Sequence, residues 1–167
     1  MNIIPYEPPM RQAALDLALR AWGPVFPQLK AAVPGFVYGA FYPEEWQKRQ
    51  LSDLGQILDN EPHTVDVAIL QGQNGSETSQ LAGWVCTRIH PEDSMGEVYI
   101  LAVDPQFQRR GIGHALMNHS HDRARAAGMT MMMVETGGDP GHAPARHTYE
   151  AAGYQRWPVA RYFKNLQ

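Results

Sequence analysis

The 167-residue chain predicts an α/β (α+β) fold: one mixed, mostly antiparallel central sheet with helices on both faces. Three observations predict it. Short β-branched runs recur at Val65–Leu70, Leu81–Thr87 and Gly96–Val103. Other runs carry apolar residues at helical spacing, as at Ala13, Ala14, Leu17, Ala18 and Ala21. A glycine-rich turn, Gln108-Arg109-Arg110-Gly111-Ile112-Gly113, then joins a strand to a helix.

In chain order, Ile3-Ile4-Pro5-Tyr6 reads as a first strand, ended by Pro8 and Pro9. A helix follows over residues 10–21, and Gly23-Pro24 breaks it. Residues 22–46 interleave Trp22, Phe26, Phe36, Tyr38, Phe41, Tyr42 and Trp46 with four prolines. Proline at that density forbids a long regular helix, so a lobe of short helical turns is expected. Its rings either fill the core or wall a substrate pocket. Pro43-Glu44-Glu45-Trp46 opens the next helix, which continues through Leu51, Leu54, Ile57 and Leu58. Val65–Leu70 and Leu81–Thr87 form a hairpin around a loose turn, Gly72-Gln73-Asn74-Gly75-Ser76. The strand from Gly96 to Val103 is stopped by Asp104-Pro105, and a helix over residues 112–127 is closed by Gly128. Met131–Glu135 reads as a buried strand. Gly137-Gly138-Asp139-Pro140-Gly141-His142-Ala143-Pro144 reads as a rigid loop into a helix that carries Tyr149 and ends at Gly153. Two last strands are expected through Tyr154 and Arg161-Tyr162-Phe163. The resulting order is β-α-α-β-β-β-α-β-α-β-β, with no linker or repeat, so a single domain over residues 1–167 is expected.

Composition narrows the function. Hydrophobic residues make up 44%, which fits a globular protein. No apolar run approaches membrane-spanning length. The start, Met1-Asn2-Ile3-Ile4-Pro5-Tyr6, lacks the basic and apolar regions of a signal peptide, so a cytoplasmic location is expected. One cysteine, Cys86, excludes an internal disulfide and reads as a buried thiol in an apolar strand. A net charge of −3 argues against a nucleic-acid partner. Residues 1–95 carry 11 acids and 6 Lys/Arg, whereas residues 96–167 carry 6 and 8. This asymmetry suits a cationic substrate over the first half, or simply a solvated acidic surface. The histidines show no metal-ligand spacing, and no metal is expected.

The glycine turn is the most informative stretch. Gly111 and Gly113 at a strand-to-helix junction leave backbone N–H groups pointing outward at the positive end of a helix dipole. That arrangement binds an anion, most often a phosphate. The spacing also fits a plain turn. It is neither a Walker loop, since no Gly-Lys-Ser/Thr follows, nor a dinucleotide fingerprint, since position 116 is Leu116. In context, strand, Val103-Asp104-Pro105, Gln108-Arg109-Arg110-Gly111-Ile112-Gly113 and helix resemble the acetyl-CoA-binding motif of the GCN5-related N-acetyltransferase (GNAT) superfamily. Ala145-Arg146-His147-Thr148-Tyr149-Glu150-Ala151-Ala152-Gly153-Tyr154 is similar to the family's later helix.

That resemblance implies acetyl-CoA as cofactor. Its pyrophosphate would lie on the N–H groups of Arg109, Arg110, Gly111, Ile112, Gly113 and His114, with Gln108 opening the motif. Its pantetheine arm would pair along Leu101 and Val103, and Arg146 is a further cofactor-binding candidate. Tyr149 stands at the position of the family tyrosine that protonates the departing thiolate. Seven residues earlier the family often has Asn and this chain has His142, which can donate a hydrogen bond or act as a base. Glu97, Glu135 and His142 are the base candidates. Trp22, Phe41, Tyr42, Glu44, Glu45 and Asp139 are candidates for the acceptor. The implied activity is acetyl transfer to a primary amine of a cationic small molecule, best an aminoglycoside or amino-sugar antibiotic, giving resistance by acetylation. A lysine or N-terminal amine of a protein, and a non-catalytic acyl-CoA-binding module, are the alternatives. A monomer or homodimer with no membrane partner is expected.

Overall fold

The computed structural model describes residues 1–71 and 79–166; the turn expected at residues 72–76 lies outside them. The described strands are β1 (Asn2–Pro5), β2 (Val65–Leu70), β3 (Gln80–His90), β4 (Met95–Val103) and β5 (Met131–Val134). The helices are α1 (Arg11–Trp22), α2 (Val25–Ala32), α3 (Gly35–Phe41), α4 (Trp46–Asn60), α5 (Ile112–Ala126) and α6 (Ala143–Ala151). The sheet runs β1-β2-β3-β4-β5. Its first three pairings are antiparallel and β4–β5 is parallel.

Alternation along β2 and β3 sends side chains to two cores. On one face Val67, Trp84 and Cys86 meet Ala14, Leu17 and Ala18 of α1 and Leu54 and Leu58 of α4. The stripe on α1 is rotated from the expected one: Leu15 is buried and Ala13 exposed, because the larger side chain wins the place against the sheet. Trp84 is fully buried, which stabilises the fold by roughly 5 kcal/mol before ordering costs. Its indole N–H donates to the Ala14 carbonyl at 3.1 Å, so no donor is stranded. On the other face Val85 and Val98 meet Ile112 and Leu116 of α5. Beneath them Thr87 donates to Ser120 at 2.8 Å.

Two expectations are corrected. No strand follows α6 among the described residues. Tyr154 and Arg161–Phe163 are β-prone, but Pro158 removes a ladder donor, and the segment is held by side-chain contacts instead. Arg156 pairs with Glu150, Arg161 with Glu135, and Phe163 packs edge-on to Phe41. Consequently β5 is the sheet's last described strand, half-exposed rather than buried, with Met131 52% exposed. The lobe is two short helices, α2 and α3, as its prolines require.

Candidate active site

The site begins where the sheet splits. β4 and β5 pair from Met95↔Met131 to Val98↔Val134 and no further. β4 continues to Val103, so the edge from Tyr99 to Val103, including Leu101, has no strand beside it among the described residues. A bulge sits at the same level: the β3–β4 register shifts between Cys86 and Thr87, and Tyr99 is left without a partner on β3. Bulges increase local twist, which carries the end of β4 away from β5. The bulged Tyr99 is covered by the Arg88 guanidinium, 3.4 Å from its ring centroid.

The freed strand runs into the glycine turn. Asp104 is 2% exposed and shapes its start. One carboxylate oxygen accepts from the Gln106 N–H at 3.1 Å, and the other accepts from Arg20 of α1 at 2.6 and 2.9 Å. Gln108 caps the strand end by donating to the Val103 carbonyl at 3.1 Å. Arg109 (φ 58°) and Gly111 (φ 80°) both adopt left-handed backbone, the former at a cost for a residue with a Cβ. Successive turns of this kind aim N–H groups into one concavity. Ala115 N–H reaches back to the Gly111 carbonyl at 3.0 Å, whereas Ile112, Gly113 and His114 belong to the first turn, which has no intrahelical acceptor. Free N–H groups and the positive end of the α5 dipole thus meet at this turn, while the Arg110 guanidinium lies over the Phe107 ring at 5.5 Å.

Tyr149 is carried by α6. Desolvation pushes its pKa above the usual tyrosine value, so the hydroxyl is a protonated donor at neutral pH. Its ring meets Tyr154 edge-on at 6.1 Å. Tyr154 in turn bonds His121 of α5 at 2.8 Å. Burial pushes Tyr154 up to about 12. His121 is pushed down, by burial first and Arg125 next. The pair is therefore a phenol donating to a neutral imidazole.

The turn Pro140–His142 holds the remaining polar groups. Asp139 accepts from the Gly141 N–H at 2.9 Å and bonds His142 Nδ1 at 2.6 Å. Both of its oxygens are thus engaged and its side chain is 6% exposed, which turns it inward, away from an acceptor. Arg146 likewise donates to the Gly137 and Asp139 carbonyls at 2.6 and 2.7 Å. Glu135 lies on the surface facing Arg161 at 3.3 Å. Glu97 lies on the paired part of β4, 12% exposed, 2.9 Å from His90 Nε2. That hydrogen bond is the main cause of His90's raised pKa.

In the lobe, Phe26 stacks on Trp46 (4.1 Å, 9°) and meets Tyr42 edge-on at 5.3 Å. Trp22 packs against the first core. Arg49 covers Phe41 and Tyr42, and Glu44 pairs with Lys48. Tyr38, Tyr42, Trp46, Glu44 and Glu45 border an open hollow of about 570 Å³. Arg20, Tyr154 and His121 were not singled out by the sequence reading. Only Tyr154, a hydroxyl-bearing ring one residue past the helix-ending glycine, carried a local signal. Among the described residues no group of three or more His, Cys, Asp or Glu is placed to hold a metal, and no helix is long and apolar enough to cross a membrane.

Comparison with known proteins bears on this site. The model of the acetyltransferase (GNAT) family matches residues 36–154. The mycothiol acetyltransferase of Rhodococcus opacus is 29% identical over 124 residues, 71% of this chain and 39% of that protein. That of Thermomonospora curvata is 37% identical over 84 residues, 48% and 26% of the two chains. The chain thus spans about two fifths or less of the length of these relatives. An aminoglycoside 6'-N-acetyltransferase from Acinetobacter haemolyticus superposes with a TM-score of 0.62 at 14% identity, covering 99% of this chain and 98% of that one. The ribosomal-protein-S18-alanine N-acetyltransferase of Escherichia coli gives 0.57 at 23% identity, covering 99% and 84%. Both likenesses are of fold, and one fold therefore serves a small-molecule and a protein acceptor.

Proposed function

Because the chain belongs to the GNAT acetyltransferase family, we propose that it transfers the acetyl group of acetyl-CoA to a primary amine of a small molecule. One observation carries this reading: β4 leaves β5 after Val98 and runs unpaired through Leu101 and Val103 into a left-handed anion-binding turn. The turn from Arg109 to His114 would hold the pyrophosphate, and the free edge of β4 would take the pantetheine arm by strand-like pairing. Bound there, acetyl-CoA supplies a thioester whose carbonyl carbon the amine attacks. A backbone N–H on the open edge supports the carbonyl oxygen as charge builds on it. Tyr149, whose pKa burial raises further above the usual tyrosine value, gives its proton to the departing sulfur.

For the acceptor the reading is a cationic amino sugar, with aminoglycosides first. Its support is the hollow beside α3 and α4, where Tyr38, Tyr42 and Trp46 offer rings and Glu44 and Glu45 offer carboxylates. The unacetylated amine of mycothiol is the second class, favoured by the relatives in sequence. A thiol-release assay with acetyl-CoA tests both, using aminoglycosides, that amine, polyamines and peptides. Turnover confined to amino sugars is expected. Turnover of peptide amines alone would replace the small-molecule acceptor. Acetyl-CoA binding with no amine acetylated would leave a non-catalytic module.

A further inference from the structure

We propose that Asp139 and His142 form a base dyad, in which Asp139 fixes the Nδ1–H tautomer of His142 so that Nε2 removes a proton from the acceptor's ammonium group. The inference rests on the acetyl-transfer reading and chooses among base candidates that the sequence leaves open. The 2.6 Å contact joins Asp139 Oδ2 to His142 Nδ1. An ionised carboxylate only accepts, so Nδ1 carries the hydrogen, and in the neutral ring that leaves the lone pair on Nε2. The carboxylate is 6% exposed and the imidazole 22%, so the orienting group is enclosed and the proton acceptor reaches solvent. Nε2 has no protein partner among the described residues.

The loop is built around this pair. A Cβ at Gly137 would collide with Asp139 Oδ2 and lie 2.6 Å from His142 Nδ1. One at Gly141 would lie 2.7 Å from the Val25 carbonyl and 3.0 Å from Asp139 Oδ1. Gly141 thereby seats the turn against α2, so the lobe bordering the acceptor hollow abuts the turn that carries His142. Charged neighbours are few. Arg146 of α6 is spent on the Gly137 and Asp139 carbonyls, Glu150 pairs with Arg156, and His147 is exposed. Lys30, the titratable side chain of α2, lies over Tyr38. The other candidates are occupied: Glu97 by His90 and Glu135 by Arg161. In the step, the ammonium N–H bond breaks and its proton passes to Nε2. The freed amine lone pair forms the N–C bond as the C–S bond breaks. Tyr149 protonates the sulfur, its phenolate takes up the second proton that the acylated nitrogen sheds, and Nε2 returns the first to solvent. Asp139 is a positioning residue, and His142 is the catalytic one.

Nitrogen-15 NMR of the wild-type protein reads the tautomer directly, without turnover. The neutral His142 ring is expected as Nδ1–H, and as Nε2–H in Asp139→Asn, whose amide still accepts from Gly141. In the acetylation assay at pH 7, His142→Gln and Asp139→Asn should each lower kcat/KM by roughly 10²-fold or more. Their rates should recover as pH approaches the acceptor's own pKa, where the amine needs no base; a merely structural role would not give that recovery. An Nε2–H ring in the wild type, or wild-type kcat/KM in folded His142→Gln, overturns the dyad. A wild type that releases no thiol with any amine overturns the acetyl-transfer reading instead, and the dyad with it.

Discussion

A tyrosine hydroxyl protonates a thiolate only if its own proton is still in place at working pH. Tyr149 meets that need as any phenol does near neutral pH, and burial raises its pKa further above the usual tyrosine value. The sign follows: the neutral form is populated throughout the physiological range, and the donor is lost only as pH rises through the raised value. Tyr149→Phe should therefore lower kcat by roughly 10²-fold at pH 7–8, with acetyl-CoA affinity unchanged by calorimetry, because the ring and its edge contact with Tyr154 remain. Any alkaline fall in wild-type kcat owed to Tyr149 should set in at higher pH than for an ordinary tyrosine. A Phe variant with wild-type kcat would make Tyr149 a packing residue. Arg20 and Asp104 show the other way a side chain serves the site. A carboxylate 2% exposed needs a cation, and the one it has comes from 84 positions away. Through that pair α1 holds the start of the anion turn, ready-shaped.

Elements repeat the same physics over longer stretches. The turn after β4 depends on left-handed backbone at Gly111 and on open space around it, since a Cβ there would meet nothing within 4 Å. Gly111→Asp should fold, at a cost of roughly 1 kcal/mol for its φ of 80°. It should lose acetyl-CoA binding by calorimetry, because a carboxylate then stands where the proposed site would hold the pyrophosphate. Undiminished affinity in the folded variant would remove the turn from the cofactor site. The turn was legible in the sequence because its signal is local: a strand, a stop at Asp104-Pro105, two glycines and a helix. For the same reason β2, β3, β4 and α5 fall where their periodicity places them. The splay was not legible, because it depends on β5 ending at Val134 while β4 continues, and on a bulge at Tyr99 that no residue type announces. The Asp139–His142 contact also hid, since the glycines and proline around it read as a loop, and a spacing of three makes a contact only where the backbone turns back, as it does in the 3-10 turn Pro140–His142. The last strands were misjudged because β propensity needs a partner strand, and Trp157, Val159 and Tyr162 remain over 80% exposed.

Across the whole molecule, the excess of acids in residues 1–95 is less free than it looks. Asp59 is bound to Arg11, Glu61 to Arg88, Asp66 to Arg123, Asp53 to Arg49 and Glu44 to Lys48. These pairs cancel much of the field that would draw in a cation, leaving Glu45, which borders the hollow, without an ion-pair partner among the described residues. The opposite end keeps its charge, with Arg109 and Arg110 on the anion turn. Ionic strength separates the two ends, because exposed charges are screened beyond about 8 Å at physiological salt. Raising sodium chloride from about 20 to about 200 mM should raise KM for acetyl-CoA whatever the acceptor is. KM for the acceptor should climb as well if it is a polycation gathered at Glu44 and Glu45, and the rise should shrink in Glu45→Gln. Steady-state kinetics with each substrate varied in turn measures both. An acceptor KM indifferent to salt, beside an acetyl-CoA KM that climbs, would mean that the hollow recognises its ligand through the rings of Tyr38, Tyr42 and Trp46 and not through charge.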